Sequence, residues 1–570
     1  MLKRILLLSF VLAVTACTSS TATPEIVSAT GLSAEENIEK YGIPAMIVPF
    51  DYPFPDGMIE DPAEREAMID AKIAHLQEVN RLFWGNAPGT PEERQETFDE
   101  LWSRIDRKYP AFKGLDLDWD AFHDEYYEKI GRVQSYGEFA HIITYMGYVL
   151  KDPHAATSPG RLVGKEWRIE DLEQIMNMNV FLDQAPFFNT SALSRIGACN
   201  TVTSDEELVI LTVLDGSPNP YRLKVGDEIV GFNGVPWAEW VPRLETAGIP
   251  MKGMFGGPGA TDSARQYYLL RSGMANANLF EKINIQRVDT GEIETMDIVY
   301  LPMGELEAFP FCLDLTETEG LVTVHAPQQP DGFLDDPMFV YGITQDENIG
   351  YMVIRSTNPE NRDEFVDQFE EAVLSLMDTD GIIIDIRENA GGKIPNFMTK
   401  GLAHLVKGSE ERTILADAMR DPDSGDRTRL VDADDPWSYV KSPVDDPDLY
   451  YENPIIVLTG PSCVSGGDIL VQWWSEFPEF TFIGKDPNGA MTGIRGSGLP
   501  YWWQGEKEYV KIADYWTAVY LVDEEPIDHL TRMAGFVDHE VWFTKDDVIN
   551  GVDTVREYAL QLIRAAGGGE

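Results

Sequence analysis

Gly381-Ile-Ile-Ile-Asp385-Ile-Arg387-Glu-Asn389-Ala-Gly391-Gly392 is the stretch on which the fold turns. Its counterpart further along is Pro454-Ile-Ile-Val-Leu-Thr-Gly-Pro-Ser-Cys463-Val-Ser465-Gly466-Gly467-Asp468. Each is a short, β-branched apolar run that empties into a glycine-bearing turn. That is the pattern of a strand buried on both faces, with room for a ligand at its carboxyl end. The first turn offers bare backbone N–H groups and the second a hydroxyl. An oxyanion pocket beside a nucleophile is the arrangement of a serine hydrolase.

Working outward, strand-like and helix-like segments alternate from about 316 to 565: 349–354, an amphipathic 363–377, 381–386, 455–458 and a helix from Asp468. This alternation predicts α/β architecture around a parallel sheet. The acidic, Asp- and Pro-rich insert 407–450 reads as a long surface loop, and 551–563 as a closing amphipathic helix. Upstream, 165–310 reads as short strands and turns. Leu208–Leu214 is followed by the Gly226-Asp227 turn, a strand at 229–232, and the hairpin signal Asn233-Gly234. From 61 to 150 the periodicity is helical, with Phe98, Leu101, Trp102 and Ile105 on one face. Further helices are expected near 119–130 and from 138 to 150, the last stopped by Pro153.

At 570 residues the chain exceeds a single core. Its net charge of -51 argues against nucleic acid as a partner and against charge-driven binding to anionic lipid. A solvated acidic coat is the plain reading of that charge. Met1-Leu-Lys-Arg4, an apolar run and Thr15-Ala16-Cys17 make a secretory signal over 1–17, too short to span a bilayer. Val14-Thr-Ala-Cys17 resembles the bacterial lipobox. Cys17 is therefore the expected lipidation site, 18–60 a tether, and an N-terminal lipid the sole membrane contact. The expected location is that of an exported bacterial lipoprotein, at the outer membrane facing the periplasm or on the cell surface. An oxidising compartment permits a Cys199–Cys312 bridge, while Cys463 reads as a small buried hydrophobe.

Two resemblances sharpen this. The Leu-Lys-x-Gly-Asp and Asn-Gly signals at 223–227 and 233–234 resemble a PDZ domain, whose relatives take an extended peptide as an added strand; Arg195-Ile196-Gly197 is the candidate carboxylate loop. Ile384-Asp385-Ile-Arg387-x-Asn389-x-Gly391-Gly392 resembles the signature of the C-terminal processing (tail-specific) and tricorn-core serine peptidases. Ile349-Gly350-Tyr351, Trp119-Asp120, the Leu150 to His154 segment and Gly551-x-Asp553 are similar to that family as well. The resemblance implies an N-terminal helical domain (61–160), a PDZ-like β-rich domain (161–315) and a crotonase-like α/β core (316–565). It implies a nucleophile at Ser465 and oxyanion donors at Gly391, Gly392 and Gly466.

The base is where the chain departs from the pattern. Tail-specific members carry a lysine in a turn where this sequence has Ala490, and Lys485 is too early to replace it. The tricorn-like branch takes a histidine from the end of the helical domain, a position matched by His154, whose ordinary pKa suits a proton acceptor at neutral pH. Asp152, Glu525 and Asp528 are the carboxylates available to orient it. His529 and His539 lack metal-ligand spacing, and no cofactor fingerprint is present, so neither metal nor cofactor is expected. Trp473-Trp474 and Tyr501-Trp502-Trp503 read as core or rim. The expected activity is endopeptidase cleavage of peptides or unfolded protein segments. Two alternatives are an inactive peptide-binding scaffold and a carrier of small hydrophobic ligands.

Overall fold

The computed structural model describes residues 50–567, apart from 51, 156–197, 250–258, 299–321, 326–336, 421–427, 431–438 and shorter stretches. The signal peptide with Cys17, most of the tether, the 195–197 loop and Cys312 lie outside the described residues. Among the described residues four helices come first: α1 (Pro62–Trp84), α2 (Pro91–Lys108), α3 (Trp119–Arg132) and α4 (Tyr136–Tyr148). Helix α2 starts on a capping box. The Thr90 hydroxyl accepts from Glu93 N–H while the Glu93 carboxylate accepts from Thr90 N–H, satisfying two otherwise orphaned donors. Its Phe98, Leu101 and Ile105 pack with Trp119, Phe122, Ile143 and Leu150 in a core of their own. Arg94 reaches across to the carbonyls of Ile130 and Gly131, capping the end of α3. Helix α4 stops short of Pro153, which instead opens a short 3-10 turn, Pro153–Ala155.

The second region is a five-stranded antiparallel sheet in the order β1 (Ala198–Val202), β2 (Leu208–Val213), β3 (Glu228–Phe232), β4 (Lys282–Gln286), β5 (Ile293–Asp297). Cys199 carries a disulfide, whereas Cys463 is free and buried. The region also holds two helices that the expected strand-and-turn pattern lacked, α5 (Trp237–Thr246) and α6 (Asp262–Ala275). Asn233 (φ 51°) and Gly234 (φ 81°) form the expected tight turn. It closes only a Phe232–Val235 bridge before Pro236 leads into α5. The turn chemistry was legible; the following strand was not there.

The third region is a seven-stranded sheet, ordered β20 (His539–Glu540), β14 (Phe480–Gly484), β13 (Ile455–Thr459), β9 (Gly381–Asp385), β8 (Ile349–Ile354), β7 (Pro337–Ile343), β6 (Val322–His325). From β8 to β20 the neighbours run parallel; β7 and β6 are antiparallel additions. Alternate residues face opposite layers. Ile382, Ile384, Ile455 and Val457 pack on α7 (Arg362–Ser375) and α9 (Gly466–Trp474), while Ile383, Ile456 and Leu458 belong to the layer of α11 (Thr554–Gly567). Fully burying each such side chain is worth about 1.5–3 kcal/mol, which explains why these strands contain no polar alternation. Trp473 and Trp474 are both fully buried, so they belong to this core. Helix α8 (Thr399–Leu402) and helix α10 (Lys545–Ile549) also belong to the described residues.

The insert expected to be a surface loop instead contributes strands. β10 (Thr413–Arg420), β11 (Thr428–Leu430) and β12 (Tyr439–Lys441) join β15 (Thr492–Arg495), β18 (Asp514–Val522) and β19 (Glu525–His529) in a six-stranded sheet. β10 pairs with β18, a partner far along the chain, so no local turn signal announces it. A two-stranded ribbon, β16 (Leu499–Trp503) with β17 (Glu506–Val510), carries Tyr501, Trp502 and Trp503. Among the described residues no helix is long and apolar enough to cross a membrane.

Candidate active site

β9 and β13 are hydrogen-bonded neighbours whose carboxyl ends finish side by side, with Leu458 opposite Asp385. The two turns that follow are therefore brought together, and a buried charge network anchors the first. The Arg387 guanidinium donates to both oxygens of Asp385 and to the carboxylate of Asp553, and Tyr351 O–H donates to Asp385 at 2.9 Å. Burial works against the Asp385 charge, yet Arg387 wins and holds its carboxyl below the usual range. The Asp, Arg, Tyr and Gly-x-Asp positions of the signature thus meet in one structural cluster rather than at the reacting atoms.

Asn389 links this anchor to the second turn. Its side chain donates to Ile354 O and accepts from Gly391 N–H, while its carbonyl accepts from Val464 N–H. The amide of Gly391 is thereby committed, which removes it from the three expected oxyanion donors. Gly391 has a different necessity. At φ 83° a Cβ on it would lie 2.6 Å from Ser465 Cβ and 2.7 Å from Val464 O.

Ser465 itself sits at φ 61°, ψ −114°, a left-handed conformation unusual for a side-chain-bearing residue and typical of a hydroxyl raised on a sharp strand-to-helix turn. It is partly exposed. Gly466 opens α9, and a Cβ there would lie 2.4 Å from Thr357 Oγ1 and 2.9 Å from Gly392 N. The backbone nitrogens of Gly466 and Gly392 therefore lie close to each other and to Ser465, at the positive end of a helix. Neither makes a hydrogen bond to the described residues.

The turn after β14 packs against the nucleophile turn. Asn488 N–H donates to Cys463 O. The fully buried Asp468 carboxylate accepts from Ser465 N–H at 2.6 Å, Gly489 N–H at 2.6 Å and Ala490 N–H at 3.0 Å. Burial pushes this carboxyl up to about 7, against the pull of those amides, with nearby Asp152 raising it further. Lys485 is turned elsewhere, with Nζ 6.0 Å from the centre of the Trp542 ring. Position 490 holds a buried methyl group, not an amine.

Next to that methyl stands His154. Burial holds its ring below histidine's ordinary pKa, while Asp152 and the nearby Ala490 backbone pull the other way. The Asp152 carboxylate accepts from His154 N–H at 3.1 Å and from Tyr109 O–H at 2.8 Å. The side chains of Glu525 and Asp528 lie outside the described residues. Arg532 completes the seam: its guanidinium donates to Tyr109 Oη and to the carbonyls of Leu150, Ala111 and Lys113, and its own N–H to Gly489 O. From the antiparallel-sheet region, Ala260 N–H and Thr261 N–H donate to Asn488 O, and the Thr261 hydroxyl to Pro487 O. Residues 487–490 are therefore touched by all three regions. Sequence reading gave no hint of Arg532 or Thr261, whose partners are hundreds of residues away. It gave Asp468 only as the start of a helix.

With this geometry in hand, comparison with known proteins is informative. Residues 348–519 match the model of Peptidase family S41, and residues 90–147 match that of the tricorn protease C1 domain. None of the curated proteins matches the chain. Among solved structures, mature CPAF is similar at 14% identity, covering 84% of this chain and 98% of that one with a TM-score of 0.52. The photosystem II D1 C-terminal processing protease is matched at 15% identity over 78% of this chain and 92% of that one, with a TM-score of 0.34. The tricorn protease is matched at 15% identity over 84% of this chain and 37% of that one, with a TM-score of 0.29. At such identities the likeness to CPAF speaks for the fold.

Proposed function

For a chain that belongs to the tail-specific, tricorn-like serine peptidases of family S41 and acts on proteins, we propose that Ser465 is the nucleophile and His154 its base. Ser465 Oγ attacks the peptide carbonyl carbon as His154 takes its proton. The proton then passes to the leaving amine, and water, deprotonated by the same imidazole, releases the acyl group. The Gly466 and Gly392 amides hold the oxyanion; a single donor of this kind is typically worth about 100-fold or more in rate.

The observation that carries the assignment is the position of Ala490. Its amide shares the Asp468 carboxylate with Ser465 N–H, and its backbone also lies near the His154 ring. The nucleophile turn and the imidazole therefore both adjoin one residue, at the position where tail-specific peptidases carry their lysine. The five-stranded sheet, with its PDZ-like turn signals, would present an extended peptide to the cleft. The leader and Cys17 support export and lipid anchoring, facing the periplasm. Incubating an unfolded protein such as reduced casein with the full chain tests the activity. Wild type is expected to degrade it and Ser465→Ala to leave it intact while melting normally; equal degradation by both would remove Ser465 from the mechanism.

A further inference from the structure

We propose that Asp468 is the positioning residue of this site, one buried carboxylate that locks the turn carrying Ser465 to the turn carrying Ala490 and thereby sets His154 against the nucleophile. The inference rests on the assignment of Ser465 and His154 above. An acid three residues into a helix needs only the N-cap amide to serve as a cap. Asp468 goes further. Its Oδ2 accepts from both Ser465 and Ala490, and its Oδ1 from Gly489, partners 21 and 22 residues on.

Asn488 adds a longer side-chain bridge between the turns, its amide donating to Pro461 O at 3.4 Å, but it reaches neither Ser465 nor Ala490. Gly489 lies at φ 78°, where a Cβ would meet Thr261 Cγ2 at 2.9 Å, and Ala490 offers a methyl group. Ser465 must remain in its left-handed conformation with Cβ pressed towards Gly391. A charge-assisted bond to its own amide opposes relaxation into a regular helical start. Asp152 does the matching job from the other side, holding His154 N–H. Two buried acids thus divide the labour, Asp468 for the nucleophile turn and Asp152 for the segment bearing the base. Asp468 touches no reacting atom, so its effect passes wholly through geometry.

The test uses the full chain with Asp468→Asn and Asp468→Ala, read by the rate of fluorophosphonate labelling at Ser465, by kcat and KM on an unfolded protein, and by thermal melting. A misplacement of about 1 Å costs roughly 100-fold in rate. Asp468→Asn turns an amide donor towards donors, so labelling and kcat are expected to fall by about that factor with KM little changed. Added formate, entering the space left in Asp468→Ala, is expected to restore labelling roughly tenfold or more, a rescue that a purely structural role would not show. Wild-type labelling in a folded Asp468→Asn, indifference of folded Asp468→Ala to formate, or loss of fold in both variants overturns the proposal. Absence of labelling in the wild type is a different result and sinks the Ser465 assignment instead.

Discussion

Replacing Gly391 with alanine loads the nucleophile turn without removing any polar group. The new Cβ would lie 2.6 Å from Ser465 Cβ, 2.7 Å from Val464 O and 3.0 Å from Gly466 N. Non-bonded carbons settle at about 3.5–4.0 Å, so the two Cβ atoms must part by roughly 1 Å. Left-handed φ costs an L-residue about 1–2 kcal/mol and overpacking about 1–3 kcal/mol, together about 2–5 kcal/mol of stability. A nucleophile shifted by about 1 Å loses roughly 100-fold in rate. Gly291→Ala is the matched control, since Gly291 has φ 70° and a Cβ there would meet nothing within 4 Å. It carries the backbone strain alone. Thermal melting and fluorophosphonate labelling of the two variants separate the terms: both are expected to lose stability, and Gly391→Ala alone to lose labelling. Wild-type labelling in Gly391→Ala would refute the claim that these glycine turns abut at the reacting centre.

Other consequences follow from the same geometry. Asp385→Asn leaves Arg387 buried with half its partners and is expected to cost about 3–5 kcal/mol, against about 1.5–3 kcal/mol for Tyr351→Phe, as read by denaturant melts; the reverse order would contradict the network. Arg532→Ala frees the Tyr109–Asp152–Leu150 seam and is expected to lower kcat roughly 10–100-fold by loosening His154, with faster limited proteolysis of the helical region as the companion readout. For pH, the base works as neutral imidazole, and burial holds His154 below its usual value, so its protonation falls on the acid side of 6.5. Asp468 anchors best when ionised and its carboxyl is pushed up to about 7, with Asp152 and Cys463 as its facing ionisable neighbours. Activity should therefore rise as pH passes through about 7 in the wild type, and this limb should move below pH 6.5 in Asp468→Asn. An unmoved limb would assign it to another group.

The parts of this molecule that were legible in its sequence share a physical trait: their signal is local. The runs 381–385 and 455–459 are apolar at almost every position because both faces of a parallel strand are buried, and Gly391 and Gly466 are glycines because each faces a neighbouring turn with no space for a methyl group. What stayed hidden depends on distant partners. The strand at 413–420 exists because 514–522 pairs with it, and its acidic, proline-bearing surroundings read as loop. Helix 237–246 carries Pro242 in its interior, which weakens the helical signal. Arg532 looks like any surface arginine until its four acceptors, all between 109 and 150, come together around it. Asp468 was readable as the start of a helix, and its reach to Gly489 and Ala490 required the fold.

The most direct test of the account is site mapping by mass spectrometry after brief exposure to a fluorophosphonate, comparing wild type with His154→Gln at neutral pH. The account predicts a single adduct on Ser465 in the wild type, formed at least 100-fold more slowly in His154→Gln although that variant melts normally. An adduct elsewhere, or equal rates on Ser465 in both proteins, would contradict it.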